Sequence, residues 1–308
     1  ERRQAGAVAG VSGQAVASPA GYTRGMLLVI GACSSFALLD SISKYLSSFH
    51  HPLLIAWARY VFHVLVMVLI YFPSMGRRLF VTRRPGLQLL RGLCLGMSSV
   101  CFFSALAVMP QAEATAITAV APVLVTLGAV LWLKEAVPRG AWWSLMMSFA
   151  GVMLIVRPGS ALFGWAAVLP LLTALFAMGY QLLTRLLTGI DNGLATLFIG
   201  AAVASVLLAV LAPGDWTMPT RPLHMLLFVT TGVIGAFGHL MLVRAYEYAS
   251  AAQLAPFGYT HAVAAMVAGL VFFGQFPDWL ALTGIVLIVI TGVMLAVVNK
   301  LPLRPLED

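Results

Sequence analysis

A chain of 308 residues that is 61% hydrophobic and only 9% charged has too little polar surface to cover a water-exposed globule, since a soluble domain is roughly half apolar and a quarter charged. The solvent for most of it is therefore lipid. The basic residues behind the net charge of +8 are divided unequally between the two sides of the predicted spans, with the Arg77–Arg84 cluster in one short loop, which points to topology and not to a nucleic-acid surface.

A helix needs roughly 20 mainly apolar residues to cross a bilayer. The sequence predicts ten such spans, near 24–46, 53–72, 87–108, 112–132, 140–156, 164–187, 193–212, 223–245, 251–274 and 279–298. The alternation of a membrane β-barrel is absent, so the expectation is an all-α integral membrane protein. Turn chemistry at His51-Pro52, Met109-Pro110, Arg157-Pro158-Gly159, Asp191-Asn192-Gly193, Pro213-Gly214-Asp215 and Pro277-Asp278 separates the runs.

Residues 1–21 read as a flexible tail, and the first span runs on through Asp40 and Lys44 with no cleavage signal. Asp40 and Lys44 are one helical turn apart. They form either a charge pair able to meet a zwitterion at the outer mouth or a self-neutralised pair reaching the interface. On the second span Arg59 reads as an interfacial anchor beside Trp57, and His63 as a packed histidine or a proton carrier. The third and fourth spans bring Ser98, Ser99, Phe102, Phe103 and Ser104, then Glu113, Thr115, Thr118 and Pro122. Hydroxyls in such helices often bond only to their own carbonyls, and Pro122 either kinks the helix or frees a carbonyl toward a cavity. Glu113, near a helix start, suits the N-terminal dipole. The sixth span carries Trp165, Phe176, Tyr180, Gln181 and Arg185; the eighth and ninth carry His239, Arg244, Tyr246, Pro256, Tyr259 and His261.

Gly92 and Gly96, and Gly232, Gly235 and Gly238, mark close helix approach and candidate sliding faces. Cys33, Cys94 and Cys101 lack metal-ligand spacing and read as packing residues. No Walker, metal-ligand or nucleophile-elbow pattern is present, so no cofactor is expected.

With ten spans, both termini and the even-numbered connections share one side. That side holds 14 Lys and Arg (Arg2, Arg3, Arg24, Arg77, Arg78, Arg83, Arg84, Arg91, Lys134, Arg139, Arg185, Arg244, Lys300, Arg304) against Lys44, Arg59, Arg157 and Arg221 on the other. The positive-inside rule then expects cytoplasmic termini. The sequence also repeats itself. AGVML at 150–154 falls on TGVML at 291–295, and LWLKEAVPRG at 131–140 on VFFGQFPDWL at 271–280. Asp40 falls on Gln181 and Lys44 on Arg185 at the same offset of 140 to 141. An odd number of spans per repeat makes the halves inverted copies, as in secondary transporters. The expected units are 22–158 and 159–299, flanked by the tails 1–21 and 300–308.

The stretch 109–159 resembles the end of an EamA-type repeat of the drug/metabolite transporter superfamily. It has an Ala-rich start (Ala112 to Ala116), a mid-helix Pro122, Lys134-Glu135 where the family has Gly-Glu, and Gly151-Val152-Met153-Leu154. The second half matches less sharply, with Pro256 earlier in its helix and Gly274-Gln275. The resemblance implies ten helices around a central cavity. It also implies export of amino acids, aromatic or neutral, or related metabolites across a bacterial inner membrane by a chain acting as a monomer. A broader multidrug or nucleotide-precursor carrier is the neighbouring expectation. An intramembrane enzyme built on His63, His239 or His261 is the distant one. For the solute-binding site the expected residues are Asp40, Ser99, Phe103, Thr118, Phe176, Tyr180, Gln181, His239, Tyr259 and His261. The gating and packing positions are Gly92, Gly96, Pro122, Gly235, Gly238 and Pro256.

Overall fold

The computed structural model describes residues 19–108, 111–137, 139–156, 167–211, 219–274 and 279–298. Most of the expected N-terminal tail, the C-terminal tail, Trp165, the side chain of Glu113 and the breaks at 157–159, 213–215 and 277–278 lie outside the described residues. The helices are α1 (Pro19–Ser47), α2 (Pro52–Met75), α3 (Pro85–Val108), α4 (Gln111–Thr118), α5 (Ala121–Trp132), α6 (Arg139–Val156) and α7 (Val168–Leu187). They continue as α8 (Gly193–Val210), α9 (Pro222–Tyr248), α10 (Ala251–Leu254), α11 (Thr260–Phe273) and α12 (Trp279–Val298), with 3-10 turns at Gly76–Phe80 and Ala255–Tyr259. Among the described residues there is no strand, only an isolated bridge between Thr188 and Asp191.

Helix starts follow from local chemistry. The His51 ring accepts from the Leu53 amide ahead of Pro52, and the Asn192 side chain accepts from Leu194 N–H at 2.9 Å. Ser250 and Gln253 close a reciprocal capping box over α10. At the far end of α11, Gly274 takes φ +64°, the left-handed conformation that ends a helix cheaply only in glycine.

Seven segments are long and apolar enough to cross a membrane unaided, namely α1, α2, α3, α7, α8, α9 and the α10–α11 run. With α4–α5, α6 and α12 they make the ten spans. The fourth and ninth spans, expected as single helices, are each interrupted, the fourth after two turns and the ninth after its first turn. In the fourth, α4 ends at Thr118 and α5 resumes at Ala121; in the ninth, a turn of 3-10 helix separates α10 from α11. The cause is the same in both. Pro122 and Pro256 have no N–H to offer the carbonyl four residues back, and their rings crowd the preceding turn. Within α5 the Thr126 hydroxyl donates back to the Pro122 carbonyl at 2.9 Å.

The helices pair across the two halves rather than within them. Under the offset of the sequence repeat, α1 maps onto α7, α2 onto α8, α3 onto α9, α4–α5 onto α10–α11 and α6 onto α12. The principal contacts respect this mapping. α1 lies on α9 as α7 lies on α3, α2 on α9 as α8 on α3, and α1 on α11 as α7 on α5. The pairs α2–α8 and α6–α12 are their own images. Glycines permit the approach. A Cβ on Gly92 would come within 2.5 Å of Val203 on α8, and one on Gly232, its repeat partner, would strike Phe62 on α2. Gly96 lies against Leu207 and Ala204, Gly238 against Phe36 and Gly235 against Leu39 and Arg59.

The outside of the bundle is apolar. Leu69, Leu131, Val210 and Val271 are exposed, as lipid-facing residues must be, while Gln88, Arg91, His63 and Thr231 are buried. Cys33, Cys94 and Cys101 are free thiols set among the packed helices.

Candidate functional site

A cavity of about 260 Å³ lies between the halves, at the level where α4–α5 and α10–α11 are broken. Irregular backbone within a membrane is tolerated only where protein or a cavity receives it. Both breaks border this space, through Thr118, Ala119 and Pro122 on one side and Gly258 and Tyr259 on the other. Of the residues expected from sequence, Asp40, Ser99, Phe103, Thr118, Tyr180, Gln181, His239, Tyr259 and His261 line it. Phe176 does not; Ala177, turned about 100° from it on the helix, takes the cavity-facing position.

Two expectations are corrected on α1 and α2. Asp40 does not neutralise Lys44. Its Oδ2 receives the His261 Nε2 at 3.0 Å, linking α1 to α11 across the repeat boundary, while the Lys44 ammonium sits 4.7 Å above the Phe273 ring. Nor is Arg59 an interfacial anchor. It is buried, 8% exposed, and lines the cavity. Its Nη2 donates to Ser99 Oγ at 3.0 Å and to the Tyr60 hydroxyl, and the guanidinium lies 4.4 Å from the centre of the Tyr60 ring. Among the described residues no carboxylate pairs with Arg59, and its Nε has no partner.

The opposite wall rests on a longer polar chain that composition alone could not reveal. Arg91 of α3, fully buried, donates from Nε to Thr184 Oγ1 at 2.7 Å, from Nη1 to the Thr196 carbonyl at 2.9 Å and from Nη2 to the Tyr180 hydroxyl at 3.1 Å. Gly200 makes this possible, because any Cβ there would occupy the place of Nη1. Tyr180, having accepted from Arg91, also hydrogen-bonds to His239 Nδ1 at 2.9 Å. His239 Nε2 has no partner among the described residues. His63 stacks behind His239 at 5.9 Å. Below, Gln88 reaches both Thr196 Oγ1 (2.8 Å) and Asp191 Oδ2 (2.9 Å). Asp191 also accepts from the Arg83 amide at 2.8 Å and from the Thr82 hydroxyl. Burial alone would raise the Asp191 carboxyl, but these three hydrogen bonds and the Arg83 charge outweigh it and hold the group below its ordinary pKa.

A second cross-half cluster lies at the same end of the bundle. Glu135, at the C-terminal side of α5, pairs with Arg185 Nε at 2.9 Å and accepts from the Ala252 amide at 3.2 Å, at the start of α10. Arg185 also donates to the Tyr246 carbonyl at 2.7 Å. The Tyr246 hydroxyl donates in turn to Gln181 Oε1 at 2.7 Å, tying the cavity floor to this cluster. Gln181, the repeat counterpart of Asp40, thus faces the same cavity from the other half. Phe36, Phe102, Phe103 and Tyr259 supply apolar walls, so Phe102 does not face lipid. Among the described residues no three His, Cys, Asp or Glu side chains are grouped to hold a metal ion.

Comparison with known proteins agrees with this architecture. The chain is 29% identical over 279 residues to the pseudopaline exporter CntI of Pseudomonas aeruginosa, covering 90% of this chain and 97% of that one. It is 29% identical over 271 residues to a riboflavin transporter of Vibrio cholerae (86% and 91% covered). It is also 27% identical over 252 residues to an S-adenosylmethionine uptake transporter of Rickettsia bellii (81% and 85% covered). A solved crystal structure superposes on 94% of the chain with a TM-score of 0.73 at 17% identity, a likeness of fold. The EamA-like transporter family matches twice, over residues 23–157 and 164–298; the chain belongs to that family and is a multi-pass membrane transporter, not an enzyme.

Proposed function

We propose that the chain is an alternating-access exporter of amino acids, aromatic or neutral, or of closely related small metabolites. We place it in a bacterial inner membrane with both termini in the cytoplasm. The observation that carries the solute class is Asp40. It is a carboxylate held by His261 on the wall of a cavity whose lining includes Phe36, Phe102, Phe103 and Tyr259. An amino acid needs an acceptor for its ammonium and an apolar or aromatic pocket for its side chain, and this cavity offers both. The relatives carry small organic solutes in either direction, one an exporter and another an uptake system, which fits a secondary carrier whose net direction follows the gradients. The excess of Lys and Arg on the side that holds the termini supports their cytoplasmic placement.

The alternating-access reading draws on the pairing of helices across the halves. Rocking one half against the other moves the α2–α9 and α3–α8 faces, where Gly232 and Gly92 keep the backbones close and leave few side chains to unlock. Counterflow in liposomes, with purified protein and a panel of labelled amino acids, tests the proposal. Exchange of phenylalanine or leucine is expected. Failure of every amino acid, with uptake of riboflavin or a cationic dye, overturns it.

A further inference from the structure

The side of the cavity formed by α2 and α3 is short of negative charge. Arg59 brings a cation to the cavity, and its hydrogen-bond partners, Ser99 and Tyr60, are neutral hydroxyls. Its Nε is buried and unpartnered among the described residues, and Nη1 makes no hydrogen bond to them. His239 Nε2, on the same cavity, is likewise buried without a partner among the described residues. A second buried guanidinium, Arg91, stands behind Tyr180 and also has only neutral partners. Among the described residues, neither guanidinium is ion-paired with a carboxylate.

A buried cation is normally paired or hydrogen-bonded to an anion, because removal from water is costly and neutral hydroxyls recover only part of it. Here the guanidinium is also pre-set. Its stem lies against Gly235, where a Cβ would come within 3.6 Å of Arg59 Cγ, and its plane rests on the Tyr60 ring. A planar fork held in this way matches a carboxylate, whose two oxygens accept parallel hydrogen bonds.

We infer that Arg59, with Ser99 beside it and His239 at its edge, forms the subsite that receives the carboxylate of the transported solute. The assignment rests on the amino-acid reading proposed above and completes it. Asp40 takes the ammonium end, Arg59 the carboxylate end, and the aromatic wall holds what lies between. Arg59 is then the residue by which the carrier distinguishes an acid from the corresponding amide or amine.

The test uses the full-length purified protein and matched probes: phenylalanine, phenylalaninamide, phenethylamine, 3-phenylpropionate and 3-phenylpropionamide. Competition against labelled phenylalanine in liposomes is read beside thermal stabilisation in detergent. The wild type is expected to prefer each acid to its amide by tenfold or more. Arg59→Gln is expected to abolish that preference while still binding phenylalaninamide, and Arg59→Lys to restore part of it. Ser99→Ala, a milder change, is expected to reduce the preference severalfold and serves if Arg59→Gln does not fold. Equal affinity for acid and amide in the wild type overturns the subsite, as does an unchanged preference in both Arg59→Gln and Ser99→Ala. If 3-phenylpropionate stabilises the protein in an Arg59-dependent way but no amino acid exchanges, the subsite stands and the amino-acid reading falls. If amino acids exchange with no preference for the acid, the reverse holds.

Discussion

The substitution Gly200→Ala tests the buried polar chain with a single methyl group. In the structure the Arg91 Nη1 occupies the space that a Cβ at position 200 would need, and the guanidinium is fixed by Thr184, the Thr196 carbonyl and Tyr180. The methyl forces Nη1 off the Thr196 carbonyl and turns the plane relative to the Tyr180 ring, now 4.6 Å from the guanidinium carbon. Losing one charge-assisted hydrogen bond costs about 1.5–3 kcal/mol, and overpacking a tight helix interface adds about 1–3 kcal/mol. Alanine's better helix propensity returns only about 1 kcal/mol. The net expectation is a destabilisation of about 1.5–5 kcal/mol, which at about 2–4 °C per kcal/mol lowers the melting temperature by roughly 3–20 °C. The three free cysteines give the assay, since a thiol-reactive dye reports their exposure as the bundle opens. Gly86→Ala on α3 is the control, because nothing lies within 4 Å of a Cβ there. If Gly200→Ala melts with Gly86→Ala and the wild type, Arg91 is not clamped as described and the argument for the chain fails. Adding Arg91→Met to Gly200→Ala should recover much of the loss, since a flexible apolar side chain needs none of these partners.

The Asp191 carboxyl has a folded pKa below its unfolded one, so its stabilisation is complete above the unfolded value near 4 and disappears as pH falls through the folded value. Melting temperature should therefore fall below about pH 4 more steeply in the wild type than in Asp191→Asn, which is already weakened at neutral pH. Glu135→Gln leaves Arg185 without its counter-charge and is expected to cost about 1–3 kcal/mol, less when combined with Arg185→Met, as a double-mutant cycle in the same melt will show. Gly232→Ala, which drives a methyl into Phe62 and to 2.9 Å from the His63 amide nitrogen, should slow counterflow by tenfold or more while the protein still inserts and purifies; unaltered counterflow would remove the sliding role of this face.

Much of the architecture was legible because lipid imposes it. Charge scarcity, ten apolar runs and an internal offset are properties of the chain that survive without any knowledge of packing. The breaks in the fourth and ninth spans were not legible as breaks, since the residues on either side of Pro122 and Pro256 remain apolar and a proline inside a span permits a kink as readily as an interruption. At the cavity, depth along a helix could be estimated but rotation about it could not. Arg59, two turns from the end of its span, reads as an anchor because its distance from the surface allows that, whereas its side chain turns inward to Ser99 on α3. The same uncertainty exchanged Phe176 for Ala177. Asp40 offered a local partner in Lys44, and the one it takes, His261, is 221 residues away. The Arg91 chain joins side chains separated by 59 to 109 residues, and no local pattern predicts such a meeting.

The crossing of partners between the halves bears on how the protein is made. While the ribosome is still completing the second half, α1, α2 and α3 have already entered the bilayer, but the helices they pack against, α7, α8 and α9, have not. Arg59 on α2 is then without Gly235, and Arg91 without Thr184, Thr196 and Tyr180. Two guanidinium groups and several bare glycine faces must be sheltered until α9 has emerged. Such an arrangement makes the nascent first half a client of the insertion machinery rather than a finished module, and α7, α8 and α9 are the helices that release it.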